Sequence, residues 1–275
     1  MIIPVSVKNQ SIDSSGITND YKAAISEYVW NGFEANATKV TIDYTLNEAF
    51  GVKELIIKDN GDGINYDELE ETFGAFLASK KNLLSLQMKS KANKGKGRFS
   101  FIAFSSNAEW HTVYKDNNVY KEYDITMSSD KKEVIDCSEP QLSERNETGT
   151  EVKFTNINTL TAENMGFEII EPALLKDFAW FLYLYKNKNI EIVVNGEKIE
   201  VTSEMVDTSK VVNKAGTYDV TCSYLGKSAT VKVTVEMVET VIIKSNTSVL
   251  CGLTCALVFK AIIGSVTRPI LFEKL

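Results

Sequence analysis

Hydrophobic and polar residues follow two different periods in the first part of the chain. Residues 20–37 carry apolar side chains at helical spacing, which predicts an α-helix. Residues 39–46 alternate between apolar and polar positions, and residues 54–60 form a short apolar run before a turn; both patterns predict strands. Residues 65–79 are acidic at the start and apolar later, which the helix macrodipole favours, and they predict a second helix.

Strand-like and helical patterns continue further along the chain. Apolar runs at 109–115, 119–127 and 149–156 predict three more strands. A helical pattern covers 161–187, and residues 190–201 predict a hairpin whose Asn-Gly pair supplies the positive φ angles of a type I′ turn. Helices and strands are therefore interleaved up to about residue 201.

The pattern changes to almost pure β from about residue 202, with glycine turns at regular spacing. No proline- or serine-rich linker marks the junction, and we predict two domains, residues 1–201 and residues 202–275. The stretch "AGTYDVTCSYLGKSATVKVTV" resembles a pair of strands from bacterial immunoglobulin-like modules. Those modules are usually extracellular, which conflicts with the cytosolic location expected below.

The most apolar stretch lies at residues 249–266. It contains Lys260 and is shorter than the roughly 20 apolar residues that cross a bilayer. A buried helix or a strand pair is therefore expected, a membrane-associated tail is the alternative, and the chain carries no firm membrane signal.

Composition and charge limit the function classes. The 275 residues have a net charge of −7 and a pI near 5.0, which argues against a broad nucleic-acid surface. Residues 80–98 are a local exception, because every charged residue there is basic, so nucleic-acid contact stays a weakly supported alternative. The first ten residues lack the pattern of a secretion signal, and four scattered cysteines indicate free thiols. We therefore expect a cytoplasmic protein.

Polar residues form a row on the first predicted helix. Glu27, Asn31 and Glu34 are spaced four and three residues apart, so they share one helix face. Such a face is usually only solvated. Asp59, Gly61 and Gly63 follow the second predicted strand, where a hairpin turn is the ordinary interpretation. The spacing of later acids does not fit an EF-hand calcium loop.

Two further segments carry glycines. Gly95 and Gly97 lie among lysines ahead of an apolar run, and backbone N–H groups freed by small residues can hold phosphate. The segment fits neither a Walker A loop nor a Rossmann loop. Gly149 and Thr150 open the strand at 149–156, which by itself is a common arrangement.

The four segments together resemble the GHKL ATPase superfamily of DNA gyrase B, Hsp90, sensor histidine kinases and MutL. The matching segments are "ISEYVWNGFEANATKVTI", "DNGDGI", "ANKGKG" and "ETGTEVKF", and the similarity covers about residues 15–200. It is closest to the MutL, Hsp90 and MORC branch. The resemblance implies an α+β fold, a Bergerat-type two-layer α/β sandwich with a mixed sheet and helices on one face, followed here by the C-terminal β-rich segment.

The resemblance also implies roles for particular residues. Glu27 would be the catalytic residue that orients or deprotonates the attacking water, and Asn31 would bind Mg²⁺. Asp59 would accept from the adenine amino group. The remaining nucleotide-binding residues would be Gly61 and Gly63 beside the nucleotide, Gly95 and Gly97 at the phosphates, and Thr150 at the adenine side. Lys80 and Lys94 would lie near the phosphates, although neither matches a residue of the family motifs.

Two residues depart from the family pattern. Ala92 stands where the first glycine of the lid belongs, and its Cβ affects the expected lid closure. Glu34 replaces the commoner aspartate and is one methylene longer. The histidine-kinase branch needs an upstream phosphate-accepting histidine, whereas this chain has only His111 in a strand-like run. Hydrolysis is therefore favoured over phosphotransfer.

The sequence thus predicts Mg²⁺-dependent binding and slow hydrolysis of ATP, with lid closure and dimerisation on ATP binding. The alternatives are a nucleotide-binding regulatory module without catalysis and a phosphotransfer domain like that of histidine kinases. Expected ligands and partners are ATP, ADP, Mg²⁺ and a second copy of the chain. The sequence is also compatible with a fragment of a longer protein.

Overall fold

The computed structural model describes residues 16–74, 97–202, 204–207, 209, 216–224, 227–238, 256–263 and 266–272. The described residues up to Val201 form one compact unit, and those from Thr202 form a second.

Helix α1 spans Tyr21–Glu34 and confirms the first predicted helix. Asp20 caps it, because its side chain accepts from Lys22 N at 2.9 Å and so satisfies a donor of the first turn. One face of α1 is buried through Ala24, Ile25, Val29 and Phe33, among others. Helix α2 spans Phe167–Leu184.

Among the described residues of the first unit, nine strands form one mixed sheet. They are β1 (Lys39–Leu46), β2 (Val52–Asp59), β3 (Ser105–Asp116), β4 (Val119–Ser128), β5 (Asp136–Cys137), β6 (Gln141–Leu142), β7 (Gly149–Ile157), β8 (Glu191–Val194) and β9 (Glu197–Lys198). Their order is β5-β4-β3-β7-β2-β1-β8-β9, with β6 also paired to β4. Strand β1 runs parallel to β8, and the other pairs are antiparallel.

Helix α1 packs on β1, β2, α2 and a 3₁₀ helix at Gly97–Ala103. Aromatic rings join the two long helices, with the Trp30 and Phe178 ring centroids 4.4 Å apart. The side chains of Ile42, Leu55 and Phe154 are fully buried on the sheet. The first unit is therefore an α+β fold with helices packed on a mixed sheet, which confirms the predicted fold class.

The predicted helix at 65–79 differs in the structure. Its described part forms a 3₁₀ turn at Tyr66–Glu68 and a π turn at Glu70–Gly74, and residues 75–79 lie outside the described residues. Asp67 precedes Glu70 and Glu71 by three and four residues in the sequence, and like charges at this spacing disfavour a regular α-helix.

The hairpin predicted at 190–201 is confirmed by β8 and β9. Asn195 and Gly196 have φ angles of 45° and 84°, as a type I′ turn requires. None of the helices in the described parts of the chain has the length and apolar character needed to span a bilayer.

The second unit is a sheet of antiparallel strands in the order β10-β11-β12-β13-β14. The strands are β10 (Val206–Asp207), β11 (Gly216–Tyr224), β12 (Lys227–Val238), β13 (Ala256–Ile263) and β14 (Val266–Phe272). The predicted C-terminal β segment is therefore confirmed. The apolar stretch at 249–266 contributes β13, and Cys251 and Cys255 lie outside the described residues.

Candidate functional site

Glu27 and Asn31 lie one turn apart on α1, because an α-helix has 3.6 residues per turn. Asn31 is exposed and Glu27 is half-buried, while Tyr28 and Gly32 between and beside them are buried. The polar face of α1 is thus open at Asn31, and the helix packs on its other side. Glu34 is half-buried at the last residue of the same helix.

The backbone of Gly97 approaches this polar face. A Cβ atom built on Gly97 would lie 3.5 Å from Glu27 Oε2 and 3.8 Å from Asn31 Nδ2. The last glycine of the third motif and two polar residues of the first motif are therefore neighbours. Gly95, Ala92, Lys80 and Lys94 lie outside the described residues.

The buried hydroxyl of Tyr28 holds the chain just after Gly97. It donates to Arg98 O at 3.0 Å and accepts from Phe101 N at 3.2 Å. Burial raises the pKa of Tyr28 well above its usual range, so the phenol stays protonated and keeps donating. Burial also lowers the pKa of Arg98 to about 10, and its guanidinium lies 4.7 Å from the Phe99 ring centroid.

Asp59, at the end of β2, lies beside the middle of α1. A Cβ atom on Gly32 would come within 2.9 Å of Asp59 Cβ, so only glycine at position 32 lets the helix and strand approach this closely. Gly32 directly follows Asn31 in the helix. The first and second motifs therefore meet at Gly32 and Asp59.

Backbone N–H groups orient the Asp59 carboxylate. Its Oδ1 accepts from Gly61 N at 2.8 Å and from Thr150 N at 3.3 Å. Desolvation raises the pKa of Asp59 above its ordinary value, although these two hydrogen bonds lower it in part. Within the described part of the chain, Oδ2 of Asp59 accepts no hydrogen bond. A half-buried carboxylate thus keeps one oxygen available as an acceptor.

Gly61 and Gly63 are required by contacts within the protein. A Cβ on Gly61 would lie 2.5 Å from Ala35 O, and a Cβ on Gly63 would lie 2.1 Å from Val113 O. Gly63 also has a φ of 75°, which favours glycine. Their expected closeness to a nucleotide stays a prediction, and the packing requirement is an additional reason for glycine.

Thr150 connects the fourth motif to a residue that the motifs did not include. Thr150 is buried, its N–H donates to Asp59, and its Oγ1 lies 3.1 Å from Thr112 Oγ1. Thr112 is fully buried and accepts from Ile64 N at 2.9 Å. The sequence signal for Thr112 is its position on the inward-facing period of β3, between the buried Trp110 and Tyr114.

Asn60 and Asp62 also have structural contacts that sequence reasoning missed. Asn60 Oδ1 accepts from Thr38 N at 2.9 Å and from Lys39 N at 2.8 Å, and this fixes the start of β1 to the end of β2. The Asp62 carboxylate accepts from the side chain of Asn36 just after α1. Asn60 and Asp62 therefore fix the segment from Asp59 to Gly63 against the start of β1 and against Asn36 after α1.

His111 lies in β3, with Nδ1 2.7 Å from Asp124 Oδ1. It is therefore engaged with a carboxylate on the neighbouring strand. In the described ranges, no three His, Cys, Asp or Glu side chains gather into a metal-binding group. A neutral amide oxygen such as that of Asn31 suits Mg²⁺, which commonly takes one or two protein ligands and completes its shell with phosphate oxygens and water.

Comparison with known families agrees with this grouping. A family model described as histidine kinase-, DNA gyrase B- and HSP90-like ATPase matches residues 19–159, just over half of the chain. All four predicted motifs lie within this match. A search of curated proteins found no match.

A second family model, described as bacterial Ig-like domain (group 3), matches residues 181–235. The match covers β10, β11 and most of β12, so these strands are similar to a bacterial Ig-like domain, as the strand-pair resemblance indicated. This match begins inside α2 and includes β8 and β9, which belong to the first compact unit. The predicted division of the domains between residues 201 and 202 stays a prediction.

Proposed function

The chain belongs to the histidine kinase-, DNA gyrase B- and HSP90-like ATPase family, and we propose from this that it binds ATP with Mg²⁺ and hydrolyses it slowly. Membership in this family implies ATP binding and ATPase activity. The observation that carries the residue-level proposal is the approach of the Gly97 backbone to Glu27 and Asn31. A triphosphate placed beside this contact would meet a carboxylate, a neutral amide and a backbone N–H group at the same point.

The adenine end of the proposed site lies at Asp59. Two backbone N–H groups fix its Oδ1, so the second oxygen can accept from the exocyclic amino group of adenine. A hydrogen bond to a charged group contributes about 1.5–3 kcal/mol. Gly61, Gly63 and Thr150 would surround the base on this side.

The proposed site of hydrolysis is the polar face of α1 that carries Glu27 and Asn31. Mg²⁺ would be held by the Asn31 amide oxygen and would neutralise charge on the phosphates. Glu27, one turn earlier, would accept a proton from the attacking water. Gly97, and Gly95 outside the described residues, would donate N–H groups to the phosphates, where negative charge is concentrated.

Lid closure over the nucleotide, followed by dimerisation, is the proposed consequence of ATP binding. The segment "ANKGKG" supports this through its resemblance to the lid motif. We place the protein nearest the MutL, Hsp90 and MORC branch, because Glu27 supplies the hydrolytic carboxylate. A cytoplasmic location is proposed from the scattered cysteines, of which Cys137 is a free, exposed thiol.

Replacing Glu27 by glutamine tests the catalytic proposal. We expect Glu27→Gln to abolish phosphate release while the Kd for Mg²⁺-ATP changes by less than about threefold, because one uncharged amide replaces a carboxylate of equal size. Phosphate release and calorimetric binding should be measured on the same preparation. Undiminished turnover in Glu27→Gln would remove Glu27 from the proposed role.

A regulatory module without catalysis is the second candidate. Ala92 in place of the first lid glycine favours it, since an added Cβ restricts the backbone of a phosphate-binding loop. Mg²⁺-ATP binding without any turnover at high protein concentration would support this candidate, and multiple turnover would exclude it. A non-hydrolysable ATP analogue that converts the monomer to a dimer would indicate an ATP-driven dimerisation cycle. An unchanged monomer would indicate an isolated nucleotide-binding module. Phosphotransfer through His111 is disfavoured by its contact with Asp124.

Nucleic-acid contact through the basic residues 80–98 is a weaker proposal. Their charge is its only support, and these residues lie mostly outside the described ones. DNA binding that weakens steeply with salt is the expected result, and an absence of binding at low salt would contradict it.

A further inference from the structure

We propose that Tyr28 is a positioning residue that holds the Gly97 backbone at the terminal phosphate of ATP and so gives the site a preference for ATP over ADP. This inference rests on the proposed function, because it concerns the phosphate end of the same site. Tyr28 lies between Glu27 and Asn31 on α1, and the first motif assigns it no role.

Gly97 lies at the end of the site where hydrolysis is proposed. A Cβ atom built on Gly97 would lie 3.5 Å from Glu27 Oε2. Because Glu27 would accept a proton from the water that attacks the terminal phosphorus, the phosphate nearest to Glu27 and Gly97 is the terminal one. ADP lacks this phosphate, so a hydrogen bond from Gly97 N–H would favour ATP over ADP.

The Tyr28 hydroxyl makes two hydrogen bonds just after Gly97. It donates to Arg98 O at 3.0 Å and accepts from Phe101 N at 3.2 Å. The direction of both bonds is fixed, because a carbonyl oxygen only accepts and a backbone N–H only donates. Arg98 and Phe101 are three residues apart, which is the spacing of bonded partners in a 3₁₀ helix. One hydroxyl therefore fixes both sides of the turn that follows Gly97.

The ring of Tyr28 gives this hydroxyl a fixed position. Tyr28 is 4% exposed, and its ring centroid lies 4.8 Å from that of Phe154 on β7. The ring of Phe104, just after the 3₁₀ helix, lies 5.0 Å from the same Phe154 ring. Tyr28 and the end of the 3₁₀ helix thus rest on the same part of the sheet, and the hydroxyl bridges them.

The position of Gly97 relative to α1 therefore depends on a hydroxyl that α1 itself carries. Tyr28 is one residue from Glu27, and the carbonyl that it binds is one residue from Gly97. Without the hydroxyl, Gly97 N–H would no longer be held at the terminal phosphate. The hydrogen bonds that orient Asp59 at the base end come from Gly61 and Thr150, so they would persist.

The experiment compares Tyr28→Phe with wild type by calorimetric titration of two ligands, β,γ-imido-ATP and ADP, each with Mg²⁺. The variant keeps the ring and removes only the hydroxyl. It should raise the Kd for β,γ-imido-ATP about tenfold, as the loss of one hydrogen bond to a charged group predicts. The Kd for ADP should change by less than about twofold.

Tyr123→Phe is the matched control. Tyr123 is 1% exposed, and within the described part of the chain its hydroxyl has no hydrogen-bond partner. The exchange therefore removes a buried hydroxyl but no hydrogen bond, and both Kd values should stay within about twofold of wild type.

The ratio of the two Kd values separates positioning from a general structural defect. If Tyr28→Phe weakened both ligands by the same factor, or neither, the inference would be overturned. The same selective loss in Tyr123→Phe would also overturn it. Failure of wild type to bind β,γ-imido-ATP would instead refute the proposed function, and the inference with it.

A folding defect in Tyr28→Phe does not prevent the test, because wild type offers a second measurement. Amide hydrogen exchange in residues 97–101 should be slower with β,γ-imido-ATP than with ADP, since only the triphosphate would reach Gly97. Equal exchange with the two nucleotides would overturn the inference.

Discussion

The exchange of Asp59 for asparagine separates the fold of the site from its binding chemistry. The Asn side chain has the same shape as Asp, and its Oδ1 can keep the hydrogen bonds from Gly61 N at 2.8 Å and Thr150 N at 3.3 Å. The variant therefore changes the charge and the second polar atom, from an acceptor oxygen to an NH₂ donor.

Asp59→Asn should be no less stable than wild type, because burying the native Asp59 carboxylate costs free energy. Desolvation raises the folded-state pKa of Asp59 above its ordinary value of 3.8. Since the folded protein binds this proton more tightly than the unfolded chain, stability falls as pH rises from about 3.8 through the folded-state pKa. Above the folded-state pKa the cost is fully present, and Asp59→Asn removes it. We expect an unfolding free energy in urea at pH 7 equal to or above that of wild type.

ATP binding should weaken strongly in the same variant. Loss of a hydrogen bond to a charged acceptor costs about 1.5–3 kcal/mol, which corresponds to about 10- to 150-fold in Kd. Two NH₂ donors would also face each other across the site. Calorimetric titration with Mg²⁺-ATP measures this change directly.

Asp62→Asn is the matched control, since it makes the same exchange on an exposed carboxylate three residues away. It alters the contact with Asn36 and should leave the Kd for ATP within about twofold. ATP binding by Asp59→Asn within threefold of wild type would refute the reasoning. Loss of both stability and binding in Asp59→Asn would show that the carboxylate is needed for folding instead.

Three further changes follow from contacts in the same unit. Gly63→Ala should prevent folding or lower the unfolding free energy in urea by several kcal/mol, because its Cβ would lie 2.1 Å from a backbone oxygen. Gly196→Ala is the control: Gly196 has a φ of 84° but open space around it, so the change should cost only about 1 kcal/mol. Tyr28→Phe should lower the unfolding free energy by about 1–3 kcal/mol, since Arg98 O loses its donor, and an unchanged melt would contradict this. Asn31→Ala should raise the Mg²⁺ concentration required for half-maximal ATP hydrolysis, and an unchanged Mg²⁺ dependence would count against Asn31 as a ligand.

Local patterns predicted most of the first unit because its elements are set by short-range signals. The alternation at 39–46 gave β1 with the same bounds, and the Asn-Gly pair gave the β8–β9 hairpin. The acidic segment is predicted as an α-helix over 65–79, whereas its described part forms a 3₁₀ turn and a π turn, and residues 75–79 lie outside the described residues. Element order, by contrast, does not reveal that β1 pairs with β8.

The candidate site was predictable only as far as its motifs. The residues in them were identified by order and spacing, but Thr112 lies 38 residues from Thr150 and carries no motif. Asn60 likewise acts on the backbone at Thr38 and Lys39, 22 and 21 residues away. Such contacts depend on strands that meet in the folded sheet, and composition or periodicity does not encode them.

The parallel pairing of β1 with β8 determines where the protein can be shortened. Glu191 N donates to Thr38 O and Asn195 N donates to Ile42 O, both at 2.8 Å. A fragment that ends before β8 would leave β1 as an unpaired edge of the sheet. Strand β1 itself carries Val40 and Ile42, which are fully buried in the whole chain. Unpaired edges of this kind recruit strands from other molecules. The ATPase-family match ends at residue 159, but a fragment that ends there would be prone to aggregation. The hairpin of β8 and β9 prevents this by pairing with the edge of β1.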